Sequence, residues 1–129
     1  MASVEITNNS DEVRDELEQA VERALVKIGI TAEGHAKLAC RVDTGRLRGS
    51  ITYATKTAHS RGTPLKDGSP SPPQDYELHG TPQENEVVIG TNVEYAAKIE
   101  FDVKPFLRPA AEGHKEEYKR LIESELRGS

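Results

Sequence analysis

Apolar residues at Val13, Leu17, Ala20, Val21, Ala24, Leu25, Ile28, Ala32, Ala36, Leu38, Ala39 and Val42 recur in steps of three and four. That spacing keeps one face of an α-helix apolar and predicts a long helix over 8–42. Its start is marked by Asn9 as N-cap with Glu12 at the third helical position, the reciprocal pattern of a capping box. Asp11, Glu12, Asp15 and Glu16 add carboxylates where the positive end of the helix dipole favours them. Gly29 and Gly34 each cost about 1 kcal/mol relative to alanine inside a helix. They predict a bend or a close helix contact near 29–34. Residues 1–7 alternate at Val4 and Ile6, as a short strand or an arm would.

Thr44 and Gly45 end this helix, glycine tolerating the left-handed conformation common just past a helix C-terminus. From Ser50 the period changes to two: Ile51, Tyr53 and Thr55 fall on one face, Thr52, Ala54 and Lys56 on the other. A half-buried strand is expected over 50–57, and a second, β-branched one over 85–90. Between them, residues 58–84 hold five of the seven prolines and three glycines, which predicts a long irregular loop with a short extended piece at 76–78. A short helix is expected over 93–101 with Tyr95, Ala96, Ile99 and Phe101 inward. Pro105 and Pro109 bracket a stretch that cannot be helix interior, and Pro109 suits the first turn of a last helix over 108–127. Ala110, Ala111, His114, Tyr118, Leu121, Ile122 and Leu126 share one face of it, and Glu116 to Arg120 and Glu123 to Arg127 are spaced for i,i+4 pairs on the other.

These elements predict an α+β fold in which a long N-terminal and a C-terminal helix pack on a small, mostly antiparallel sheet, with a long Pro/Gly-rich loop. At 129 residues the chain has the size of one domain, 1–129. Composition changes the picture in one respect. With 30% charged residues, no tryptophan and two phenylalanines, the interior is thin, so part of the stability is expected from partners. The single Cys40 excludes an internal disulfide and a cysteine-cluster metal site, and its place in the helical pattern makes it a small buried apolar residue. No apolar run approaches 18 residues and no leader pattern opens the chain, so synthesis in the cytoplasm and no membrane association are expected.

Candidate chemistry is sparse. His35, His59, His79 and His114 show no ligand spacing, so no metal site is predicted. Asp43-Thr44-Gly45 matches an aspartic-protease signature in three letters only, and the apolar strand residues around such a carboxylate are missing. Gly45 and Gly49 lack the Lys-Ser/Thr of a phosphate loop, and Ser10, Ser50 and Ser60 lack a nucleophile elbow. No catalytic residue, no cofactor and no enzymatic activity are expected. Charge is more informative. Residues 35–66 carry Lys37, Arg41, Arg46, Arg48, Lys56, Arg61 and Lys66 against Asp43, while 74–102 carry Asp75, Glu77, Glu84, Glu86, Glu94, Glu100 and Asp102 against Lys98. The two blocks meet either within the subunit or across a head-to-tail contact between copies. The net charge of -5 argues against a dedicated nucleic-acid binder, although an accessory role in nucleic-acid binding through the basic 35–66 block is the alternative function.

Four stretches carry a resemblance: Val42-Asp43-Thr44-Gly45-Arg46-Leu47-Arg48-Gly49-Ser50-Ile51, then Ile89-Gly90-Thr91-Asn92-Val93-Glu94-Tyr95-Ala96, then Ile99-Glu100-Phe101, and Pro105-Phe106-Leu107-Arg108-Pro109-Ala110-Ala111-Glu112. In this order they resemble the successive blocks of the neck or tail-completion proteins of long-tailed bacteriophages and prophages, also described as head-tail joining or minor tail components. The resemblance implies a virion structural protein that assembles as a homo-oligomeric ring, six subunits being the expected number, at the head-tail interface. Other neck and tail proteins (a head-closure or adaptor protein, a tail terminator or tube) are the implied partners, with DNA passing through the ring without sequence-specific binding. The motif residues so implied are Asp43, Thr44, Gly45, Arg46, Arg48, Gly90, Asn92, Tyr95, Phe101, Pro105, Phe106, Arg108 and Pro109. Asp43 and Thr44 are expected to hydrogen-bond the turn through Gly45, with Arg46 or Arg48 turned to a neighbouring subunit. One departure is that many members read Glu-Phe-Gly-Thr before the Pro-Phe-Leu-Arg-Pro block with several residues between, whereas Phe101 here leads directly into Asp102-Val103-Lys104, which shortens a loop.

Overall fold

The computed structural model describes residues 10–40, 45–70, 72–77 and 81–128. Helix α1 spans Ser10–Ala39, within the expected 8–42. Asn9, Val42, Asp43, Thr44, His79 and the arm at 1–7 lie outside the described residues. Burial on α1 follows the apolar period only from Ala20 onward, through Ala24, Leu25, Ile28, Ala32 and Ala36. Residues 12–19 are exposed throughout, Val13 and Leu17 included, so the apolar stripe continues beyond the body that it packs on. The close contact expected near 29–34 is present, but to a strand: a Cβ on Gly29 would stand 2.5 Å from the Tyr53 ring.

The expected strand over 50–57 is corrected. Arg46–Ser50 forms a short helix, α2, and only Thr52–Ala54 is strand, β1. The Gly49 amide donates to the Gly45 carbonyl at 2.8 Å, a helical closure, and the Ser50 side-chain hydroxyl bonds back to the Leu47 carbonyl at 2.7 Å. Leu47 and Ile51, four apart, are buried together. The strand is also buried on both faces from Ile51 to Thr55, not on one. Tyr53 meets α1 at Gly29, and Thr55 donates to Glu22 of α1 at 2.5 Å. Strand β2, Val88–Gly90, is shorter than the expected 85–90 and pairs antiparallel with β1, Thr52 opposite Gly90 and Ala54 opposite Val88. Segment 58–60 covers the other edge of β1, through an Ala54–His59 bridge and a Ser60 amide donating to the Tyr53 carbonyl at 3.0 Å.

Past that bridge the loop is irregular, as its composition predicts, with one tight 3-10 turn at Pro73–Tyr76 where extended chain was expected to begin. The short helix over 93–101 is likewise corrected. Helix α3 covers Ala96–Lys98 and runs into a π-helical turn, Ile99–Val103, closed by the Lys104 amide on the Ile99 carbonyl at 2.8 Å. The extra residue in that turn rotates Glu100 inward, where it is 7% exposed, and leaves the expected core residue Phe101 79% exposed. The last helix is two, α4 at Leu107–Glu112 and α5 at Lys115–Gly128, because the Gly113 amide closes α4 on the Pro109 carbonyl and the chain bends at His114. The bend lets the Tyr118 hydroxyl donate to the Ala110 carbonyl.

The result is α+β, a long N-terminal helix and C-terminal helices packed on a two-stranded antiparallel sheet. Two apolar clusters hold it. Ala36 and Cys40 from the end of α1 join Leu47, Ile51, Val93, Ala96, Phe106 and Ala110 in one, and Ile28, Ala32 and Tyr118 form the second between α1 and α5. In place of the expected pairs within α5, its carboxylates reach α1: Glu125 accepts from Arg23 at 3.1 Å and from Lys27, and Glu117 bonds His35 at 2.6 Å. Ascending numbers on α5 meet descending numbers on α1, so these helices run antiparallel.

Candidate functional site

Gly45 introduces the site. It sits at φ 87°, and a Cβ there would lie 2.9 Å from the Lys66 backbone nitrogen, so both conformation and space call for glycine. The turn it makes aims Arg46, the first residue of α2, at Asp75 and Glu94 of its own chain. Nε and Nη2 donate to the two Asp75 carboxylate oxygens at 2.8 and 3.1 Å, while Nη1 and Nη2 donate to the two Glu94 oxygens at 3.0 and 2.9 Å. The guanidinium carbon also stands 5.5 Å from the Tyr95 ring centre, within cation–π range. A planar fork with two parallel donors per carboxylate is the geometry only arginine offers. Asp75 holds the arginine in its charged form first of all, and Glu94 next. In return, the hydrogen bond from Arg46 holds the Glu94 carboxyl below the usual range.

Asp75 is 1% exposed and stands in the 3-10 turn of the proline-rich loop. Asn92 secures that turn, its amide nitrogen donating to the Asp75 carbonyl at 3.2 Å and its Nδ2 to the Gln74 carbonyl at 2.8 Å. Beside it, the Thr91 hydroxyl accepts from the Val93 amide at 3.1 Å and lies 2.5 Å from the Ser50 hydroxyl. The first two sequence blocks and the loop between them are therefore bonded to one another through Arg46, Ser50, Asp75, Thr91, Asn92 and Glu94.

Glu100 joins the third block to the fourth. Its carboxylate accepts from the backbone amides of Phe106, Leu107 and Arg108, at 3.1, 2.7 and 3.4 Å. A helix begins with amides that have no partner inside it, and the next residue of α4, Pro109, has no amide to satisfy. One buried carboxylate thus caps the whole start of α4, where the helix dipole also favours it. Phe106, completely buried, fills the centre of the first apolar cluster between Leu47, Ile51, Val93 and Ala110.

Of the motif residues, Asp43 and Thr44 lie outside the described residues. Gly45, Arg46, Asn92, Tyr95 and Phe106 are brought together, and Gly90 ends β2 opposite Thr52. Pro105 precedes α4 and Pro109 stands in its first turn. Arg48 and Phe101 are exposed, and Arg108 is an exposed partner of Glu112 at 3.3 Å. Sequence reasoning missed Asp75, for which no local pattern speaks, and Glu100, whose partners lie six to eight residues on. Within the basic 35–66 block, Arg46 is engaged by Asp75 and Glu94, and Lys37 pairs with Glu33 at 3.4 Å. Cys40 is buried, and burial pushes its thiol up against the opposing pull of Arg48 and Lys104, the state of an apolar filler rather than a nucleophile.

Chemically, this arrangement holds shape. Arg46 is engaged on both carboxylates and Glu100 on three amides. Outside the module, His35, His114 and Glu117 each bring a ligand atom within 4.8 Å of the others, a grouping that could hold a metal ion. No protein-family model matches the chain, and no curated protein or solved structure matches it either.

Proposed function

We propose that the chain is a virion structural protein of a tailed bacteriophage or prophage, forming a homo-oligomeric ring at the head-tail interface and joining tail to capsid by self-assembly and docking. The observation that carries this reading is the convergence of the four resembling blocks. The first, 42–51, lies far in sequence from the other three within 89–112, yet Leu47 and Ile51 of the first, Val93 and Ala96 of the second, and Phe106 and Ala110 of the fourth share one apolar cluster. Glu100 of the third caps the fourth. Any single domain gathers its apolar residues, so the polar bonds made by these blocks, Arg46 to Glu94 and Glu100 to the amides of the fourth, support the reading more than the shared core does.

A second feature fits a protein that assembles. Leu38, Phe101, Ile30 and Val103 are exposed by 86%, 79%, 55% and 50%, beside the exposed apolar stripe at Val13 and Leu17. So many large apolar side chains in water on a small chain are costly unless partners cover them. With Arg46 engaged by Asp75 and Glu94, the proposed subunit contact is assigned to these apolar residues and to Arg48. The test is deletion of the coding sequence from the phage or prophage, with particles viewed by electron microscopy. Full heads and separate tails that join when the chain is supplied in trans are expected; normal infectious particles without it would overturn the proposal.

A further inference from the structure

We propose that His35, His114 and Glu117 form a binding site for a divalent transition-metal ion of the zinc class, which clamps α1 to the bend between α4 and α5. This proposal does not depend on the assembly role. The three side chains come from two places in the chain that only the fold joins. His35 stands in the last third of α1, while His114 is the bend residue and Glu117 follows it by three, on the same face of the starting α5.

The rings of His35 and His114 are stacked with centres 3.6 Å apart and planes within 3°. Stacking face to face leaves the ring edges, which carry the nitrogen lone pairs, uncovered. At that edge the Glu117 carboxylate already meets His35 Nε2 at 2.6 Å. One ligand atom from each residue lies within 4.8 Å of the other two. Ligands around a tetrahedral zinc at about 2.0–2.2 Å are roughly 3.4 Å apart, so the His35–Glu117 pair at 2.6 Å must part while spacings of up to 4.8 Å close. Stacked rings hold their lone pairs in parallel planes, so on binding His114 tilts out of the stack to share the ion with His35, and Glu117, 47% exposed, swings to meet it.

Two imidazoles and one carboxylate form a borderline-soft donor set that suits zinc, cobalt or nickel, and that magnesium and calcium, which prefer all-oxygen shells, do not favour. Three protein ligands leave a fourth position for water or for a group from another molecule. On binding, the nitrogen of each ring must offer its lone pair. The proton between His35 Nε2 and Glu117 therefore moves to the other ring nitrogen or leaves to solvent, and Glu117 exchanges that hydrogen bond for the metal.

The test uses the full, untagged chain stripped with a chelator and titrated with zinc by calorimetry, with cobalt absorption reporting coordination geometry. One ion per chain is expected, with a tetrahedral cobalt spectrum. The melting temperature should rise by about 5–15 °C at a hundredfold excess over the dissociation constant, and magnesium should leave it unchanged. His114→Phe keeps an aromatic ring in the stack and removes the nitrogen. It should weaken zinc binding at least about a hundredfold, the upper end of what loss of an outer-shell partner costs. Glu117→Gln should weaken it too, and His59→Ala, remote from the cluster, should not. Absence of binding to the wild-type chain, or equal binding by His114→Phe, would overturn the site. If a variant fails to fold, the cobalt spectrum and the zinc-dependent melting shift of the wild type decide alone.

Discussion

Arg46 concentrates the residue-scale energetics, because the group it satisfies most completely is also the one least able to turn to water. Asp75 is buried, whereas the Glu94 side chain is 71% exposed. Removing the arginine strands a buried carboxylate, and breaking such a pair typically costs about 3–5 kcal/mol. Arg46→Ala should therefore lower the urea midpoint by an amount equivalent to about 3 kcal/mol. Arg46→Lys should recover less than half of that, since a point charge cannot fork to two carboxylates. Glu94→Ala should barely move the midpoint. A small effect of Arg46→Ala would mean that Asp75 finds water or another donor. Glu100 is the second residue of this kind. Glu100→Ala uncaps three amides at the start of α4 and should cost about 2 kcal/mol, while Glu100→Gln, which still accepts, should cost about half as much. Denaturation curves with unchanged slope would separate both losses from a change in the unfolded chain.

Among the elements, the antiparallel contact of α1 with α5 adds to its apolar cluster two carboxylates, Glu117, 47% exposed, and Glu125, 14% exposed. Hydrogen bonds from Lys27 and then Arg23 hold the Glu125 carboxyl below its usual range, and the bond with His35 does the same for Glu117. A lowered folded value means that the folded chain binds the proton less readily than the unfolded one. The stabilisation is then fully present above the unfolded value of about 4.3 and is lost as pH falls through the lowered folded values. The melting temperature should be flat from pH 7 down to about 5 and fall below about 4.3. Added salt should blunt the drop, because Arg23, Lys27 and Glu117 are about half exposed. Glu125→Gln should flatten part of the acid limb, and an unaltered limb would assign the pH dependence to other carboxyls. The elements also differ in how far they announced themselves. α1 was legible because thirty residues repeat one period, but Arg46–Ser50 is too short to show one. The π turn moved Phe101 outward because a single inserted residue inverts every inward assignment after it.

For the whole molecule, the proposed contact between copies is assigned to the apolar residues left in water. Leu38→Ser with Phe101→Ser removes two of the most exposed large side chains and no internal contact of consequence. The melting temperature of the dilute subunit should stay within a few degrees of wild type, since surface substitutions usually change stability by under about 0.5 kcal/mol. The mass of the assembled species, read by native mass spectrometry, should fall toward that of the monomer. An unchanged oligomer would shift the interface to the first turns of α1. Loss of folding would show that these residues belong to the core of the single chain.

The sequence by itself determined the α+β class, the long first helix, the order of the strands, the loop between them and the burial of Cys40. All of these rest on local periodicity and on the fixed backbone preferences of proline and glycine, which act over a few residues. Only the tertiary structure decided which polar groups lie inside. Asp75 meets Arg46 across 29 residues and His35 meets Glu117 across 82. A charged side chain reads the same in sequence whether it ends in water or in the interior, and the choice depends on a partner that the folded chain alone supplies.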